Sequence, residues 1–200
     1  MSVELATSLV NLGLVQNQLG RNDLAQESYR LAINQFEQLR VVQPRDIQIA
    51  SKTALAYNNL AASYLDMQPK RAIELYRHAL DLLPNQHTEG WTILNGAARE
   101  MAITLNNLGR SYSRTDELDE ALHCYLQASE IEQRLVTQSP AHWPYQNDLA
   151  VTQNNLGMVL TRLGCVEDAT AAFQRALEIQ ETLTKLAPHD GPRLSNIAGI

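Results

Sequence analysis

Apolar and small residues recur along this chain at three- and four-residue intervals, in stretches that come in pairs separated by short polar breaks. The spacing Leu-Gly-x-x-Tyr at Leu108–Tyr112, followed by Ala-x-x-x-Tyr-x-x-Ala at Ala121–Ala128, puts these residues on one helix face, twice. The breaks carry stop and start chemistry. Gly20 and Gly164 suit the position just past a helix end, Asn22 or Asp23 is expected to cap the next helix, and Pro69 suits a first turn. Each pair is therefore expected to be a helical hairpin.

The pairs repeat with a period of 48 residues. Asn-Asn-Leu-Gly occurs at Asn106–Gly109 and again at Asn154–Gly157, with Asn58–Ala61 and Val10–Gly13 in the earlier slots. The second helices match as well, through Ala25, Ala72, Ala121 and Ala169, then Tyr29, Tyr76, Tyr125 and Phe173, then Ala32, Ala79, Ala128 and Ala176. Only the second repeat slips by one residue in its turn. Pro44, Pro140 and Pro188 close three units, while the second departs with Pro84 and a longer connection through Trp91. The expected repeats are 1–44, 45–91, 92–140 and 141–188, in one domain over 1–200. The stub 189–200, whose Arg193–Ile200 aligns with Tyr145–Thr152, begins a fifth repeat and is expected to be the sole cover on the apolar face around Leu177.

A glycine inside a helix costs about 1 kcal/mol against alanine, so its recurrence at Gly13, Gly109 and Gly157, with Ala61 in the remaining slot, requires a gain elsewhere. Close approach of the partner helix supplies it, with the Tyr or Phe of the second helix filling the space between. The continuously helical sequence Leu177–Leu186 predicts second helices of about 20 residues.

This pattern resembles the tetratricopeptide repeat, and the resemblance covers nearly the whole chain. It implies an all-α, right-handed superhelical solenoid of antiparallel helix pairs. The chain departs from the family pattern where Leu9, Tyr57, Leu105 and Gln153 replace the leading Trp, where Gln16 and Leu160 replace the first-helix Tyr, and in its longer unit. The Asn-Asn-Leu-Gly motif is similar to repeats of kinesin light chains and of long bacterial arrays beside signalling domains. By the same resemblance the chain is a protein–protein scaffold and no enzyme, binding a protein or peptide along a concave surface of first helices. Stacking of open ends into oligomers, with no foreign ligand, is the alternative.

Composition narrows the partners further. A formal charge of −6 and a pI near 5.3 argue against nucleic acid, whose binding requires a net basic surface. No stretch approaches the roughly 20 apolar residues of a membrane span, and Glu4 stands where a secretory signal would carry a basic residue; a soluble, cytoplasmic chain is expected. Cys124 and Cys165 are too isolated for a zinc motif or disulfide framework and are expected as free thiols. His123 beside Cys124 points about 100° away round a helix, which does not make a nucleophile–base pair. His87 and Glu89 supply two metal-ligating side chains, too few for a site. No cofactor is implied.

The remaining candidate is the groove itself. In the family that the chain resembles, an asparagine before the Leu-Gly pair bonds the ligand backbone, and Asn11, Asn59, Asn107 and Asn155 occupy that slot. An amide both donates and accepts, which suits an extended backbone; it also suits bonding between neighbouring helices, which would make the ladder structural. Asn58, Asn106 and Asn154 widen the polar stripe, and Arg110, Arg114 and Arg162 would suit an acidic or carboxylate ligand, although solvated arginines are the commoner case. A carboxylate clamp would require a lysine and an asparagine where this chain has Val10 and Leu14.

Overall fold

A computed structural model of the chain describes residues 2–83 and 95–186. Pro84, His87, Glu89, Trp91, Pro188 and the stub 189–200 lie outside the described residues, as does the covering of Leu177 by that stub. Every regular element described is an α-helix: α1 (Val3–Gln18), α2 (Asn22–Val42), α3 (Ile47–Tyr64), α4 (Pro69–Leu82), α5 (Asn95–Arg114), α6 (Leu118–Gln138), α7 (Trp143–Arg162) and α8 (Val166–Leu186). The predicted second helices of about 20 residues appear as α2, α6 and α8, each of 21 residues. Helix α4 is shorter, at 14 residues.

Two helix ends bear out the glycine reading closely. Past α1, Gly20 takes φ +72°, its N–H meets the Asn17 carbonyl at 2.9 Å, and the Arg21 N–H meets Gln16 at 2.9 Å. Past α7, Gly164 repeats this at φ +80°, and Cys165 bonds Leu160 at 2.9 Å. These paired bonds satisfy carbonyls that a helix end otherwise leaves orphaned. Asp116 ends α5 in the same left-handed conformation without being glycine. The start signals are less uniform. Pro69 opens α4 as expected, but Asn22 is already helical, Arg21 precedes it, and no side chain caps α2. Asn22 and Asp23 therefore contribute no cap, because the tight turn after Gly20 starts the helix early enough to place both inside its first turn. Asp46 does cap α3, accepting from Gln48 and Ile49 N–H at 2.8 and 3.2 Å.

The chain forms two compact units, Met1–Glu117 and Leu118–Ile200. In the first, α1 packs on α2 and α3, α3 also on α2 and α4, and α5 on α4 and α3. In the second, α7 packs between α6 and α8. Each core is built from the aligned small and aromatic residues: Ala25, Tyr29, Ala32, Ala72, Tyr76 and Ala79 in one unit, and Ala121, Tyr125, Ala128, Ala169 and Ala176 in the other. The helical glycines seat these rings. A Cβ on Gly13 would stand 2.5 Å from Tyr29 Cε1, and one on Gly157 would stand 2.7 Å from Phe173 Cε1, closer than real contacts allow.

Candidate functional site

The asparagines at neighbouring positions of the first helices have different surroundings, set by what lies one repeat away. Asn58 is buried between α3 and α5, where its Nδ2 donates to Glu100 Oε1 at 3.1 Å and to Thr104 Oγ1 at 3.2 Å. Its Oδ1 accepts from Asn107 Nδ2 at 3.1 Å, so two of the expected ligand-binding amides bond each other across adjacent helices. Burial pushes the Glu100 carboxyl above its ordinary range, opposed by the Asn58 hydrogen bond and the charge of Arg99. Asn59 occupies the slot equivalent to Asn107, and its Nδ2 is buried without a partner. The residue that would accept from it, 49 positions back as Asn58 stands from Asn107, is Val10.

The other expected site residues range from partly buried, like Asn59 and Asn107, to exposed. Asn11 is exposed, Asn106, Asn154 and Asn155 are partly buried, and Arg110 and Arg162 are exposed. Asn154 Nδ2 lies 3.9 Å from Met158 Sδ. Arg114 reaches back to Asp66, with 3.4 Å to the carboxylate and 3.5 Å to the backbone carbonyl, tying the ends of α5 and α3 together. Both partners are well exposed, so this pair contributes little to stability.

One feature of this face was missed by the motif reading. Four positions before and three after each slot asparagine lie residues of the same helix face: Thr7 and Leu14, Leu55 and Ala62, Ile103 and Arg110, Val151 and Met158. Leu14, Leu55, Val151 and Met158 are all exposed. The 48-residue period could have found them, since apolar residues that do not belong to the packing motif recur beside the asparagines. Each unit thus presents a first-helix face with a polar stripe flanked by accessible apolar side chains.

Other candidate chemistry stays apart. His123 is exposed while Cys124 is buried, so the adjacent pair faces different surroundings; Cys165 is exposed in its turn, and both cysteines are free thiols. Among the described residues no group of His, Cys, Asp and Glu is placed to hold a metal ion, and no helix is long and apolar enough to cross a membrane.

Sequence profiles of the tetratricopeptide repeat match residues 101–140 and 149–187, and a further profile of that repeat matches residues 6–37. The chain belongs to the tetratricopeptide-repeat family. The crystal structure of BtubC (BKLC) from P. vanneervenii is similar, at 25% sequence identity and a TM-score of 0.67, over 92% of this chain and 66% of that one. This chain therefore spans just under two thirds of the length of BtubC. A crystal structure of MamA shares the fold at 19% identity and a TM-score of 0.55, covering 90% of this chain and 81% of that one. No curated protein sequence matches the chain significantly. Tetratricopeptide repeats are generally interaction modules without enzymatic activity, and membership of the family supports a protein–protein interaction scaffold here.

Proposed function

We propose that the first-helix face of each unit holds an extended segment of a partner protein, within one continuous array over 1–200. The observation that carries this reading is the flanking of the asparagine stripe by exposed Leu14, Leu55, Val151 and Met158. Accessible apolar side chains supply contact area, and a side-chain amide, which both donates and accepts, pairs with a peptide backbone whatever its side chains. Asn11, Asn59, Asn155 and Arg110 are assigned to the ligand, with Arg162 and the Asn106 and Asn154 positions beside them. Asn58 and Asn107 act indirectly, by holding α3 against α5. A cytoplasmic signalling protein of which this array is one part fits the bacterial arrays that the sequence resembles.

The test is capture from the native cell extract by Leu55→Asp and Met158→Asp variants, beside Leu31→Asp on the exposed side of α2. The first two should lose the partner with little change in melting temperature, and the third should keep it. Equal capture by all three overturns the assignment.

A second reading, self-association, has its own observation. Leu5, Ser8, Leu12 and Val15 form an exposed stripe at helical spacing on α1. One repeat on, Thr53, Ala56 and Leu60 are buried: Leu12 is 48% exposed where Leu60 is 5% exposed. The side chains that are packed on α3 thus have exposed counterparts on α1. If this stripe mediates assembly, the mass will rise with concentration and Leu12→Glu will abolish the rise.

A further inference from the structure

Between α6 and α8 lies a solvent-open cleft of about 560 Å³ whose floor is Gln153 of α7. Gln153 occupies the slot filled in the second repeat by Tyr57, and the chain's own register makes its neighbours correspond too: Glu37 to Gln133 and His78 to Arg175. In the first unit that crevice is plugged. The Tyr57 ring meets His78 edge-on at 4.5 Å between centroids and lies against the Glu37–Arg40 ion pair, so α2 and α4 are bridged by one aromatic side chain. In the second unit the shorter amide leaves the crevice open, and the histidine has become an arginine.

What remains there is chemically specific. Gln153 is only 5% exposed; its Nε2 donates to Ser129 Oγ at 2.7 Å, while its Oε1 has no hydrogen-bond partner. Ser129 accepts in that bond and keeps its own O–H to donate. Arg175 makes no hydrogen bond or ion pair among the described residues. Glu130 is spent on Arg134 at 2.5 Å, so one carboxylate against two guanidinium groups leaves the cleft a single positive charge. Its lining runs along α6 from Leu126 to Gln138, about 18 Å at the helical rise, the length of roughly five extended residues.

We propose that this cleft receives a carboxylate carried by a partner polypeptide, with Arg175 and the Ser129 hydroxyl as its donors, while Gln153 Oε1, an acceptor, suits a backbone N–H of that polypeptide and not the carboxylate itself. The site is separate from the first-helix face, and its test is independent of that reading. An N-acetylated pentapeptide of alanine with a free C-terminal carboxylate, the same peptide amidated, and an amidated version with a central glutamate are titrated into the whole chain and followed by NMR shifts. Millimolar binding of a carboxylate-bearing peptide is expected. Preference for the first peptide identifies a chain terminus and preference for the third an acidic side chain, and either supports the proposal. Arg175→Ala should weaken binding about tenfold, as loss of a charge-assisted hydrogen bond does. Gln153→Tyr, which restores the plug found in the first unit, should abolish binding without lowering the melting temperature, while Leu31→Asp should leave it unchanged. Equal binding of the amidated alanine peptide, no binding by any of the three, or full binding by Gln153→Tyr overturns the proposal.

Discussion

In Met1–Glu117 the ring of Tyr29 lies over Gly13 and is fully buried, whereas in Leu118–Ile200 the ring of Phe173 lies over Gly157 in the same way yet is 37% exposed. The seat is identical and the confinement is not. Helix α2 has α1 on one side and α3 on the other, so Tyr29 is held from both, and burial pushes its hydroxyl above its ordinary range. Among the described residues nothing corresponds to α3 beyond α8. The contrast separates two contributions that usually come together: the ring-on-glycine contact, present in both units, and the immobility of the ring, present in one. The same division runs through the polar groups, since the first unit plugs its crevice with Tyr57 and ties Asn58 to three partners, while the second leaves Gln153 and Arg175 facing a cleft.

The largest effect expected is at the glycines. Gly13→Ala drives a methyl into a ring that cannot move and should destabilise by about 1–3 kcal/mol. Gly157→Ala meets a ring free to swing outward, so the helix-propensity gain of about 1 kcal/mol should offset most of the cost. Urea unfolding of the two variants beside the parent measures this, and equal losses would show that the exposure of Phe173 does not translate into freedom.

A smaller difference is expected between adjacent asparagines. Asn58→Ala strands Glu100 and Asn107 without their partner and should cost about 1–3 kcal/mol. Asn59→Ala removes a donor that is already unpaired and should stay within about 0.5 kcal/mol of the parent. A steep loss for Asn59→Ala in a melting curve would mean that its amide is satisfied in solution, and would remove it from the ligand-binding set.

The smallest effect concerns Glu100. Its folded-state affinity for a proton is raised above the ordinary value of 4.5, so the folded chain binds that proton more tightly than the unfolded one. The stability linked to this group is complete below the ordinary value and is lost as pH rises through the raised one. Glu100→Gln keeps an acceptor for Asn58 and removes the ionisation. Its melting temperature should exceed the parent's by a few degrees at pH 7, with the gap closing on acidification. A gap that widens at low pH would reverse the sign and show that the carboxylate is stabilised by folding.

The repeat period, the helix pairing and the seats at Gly13 and Gly157 were all legible in the sequence, because each depends on spacing within a few helical turns or on strict recurrence at 48 residues. The turns after Gly20 and Gly164 were legible for the same local reason. What became of the asparagines was not. Asn58 and Asn59 are neighbours of one type, yet one is bonded to three partners and the other holds an orphaned donor: the first meets Asn107, and at the register position that would serve the second the sequence has Val10. Likewise Gln153 read only as a departure from a motif until Tyr57 was seen filling the equivalent crevice. Periodicity specifies which helix face a residue occupies. Whether a polar group on that face is satisfied, orphaned or open to a ligand depends on side chains roughly a repeat away, which only the packed helices bring within hydrogen-bond reach.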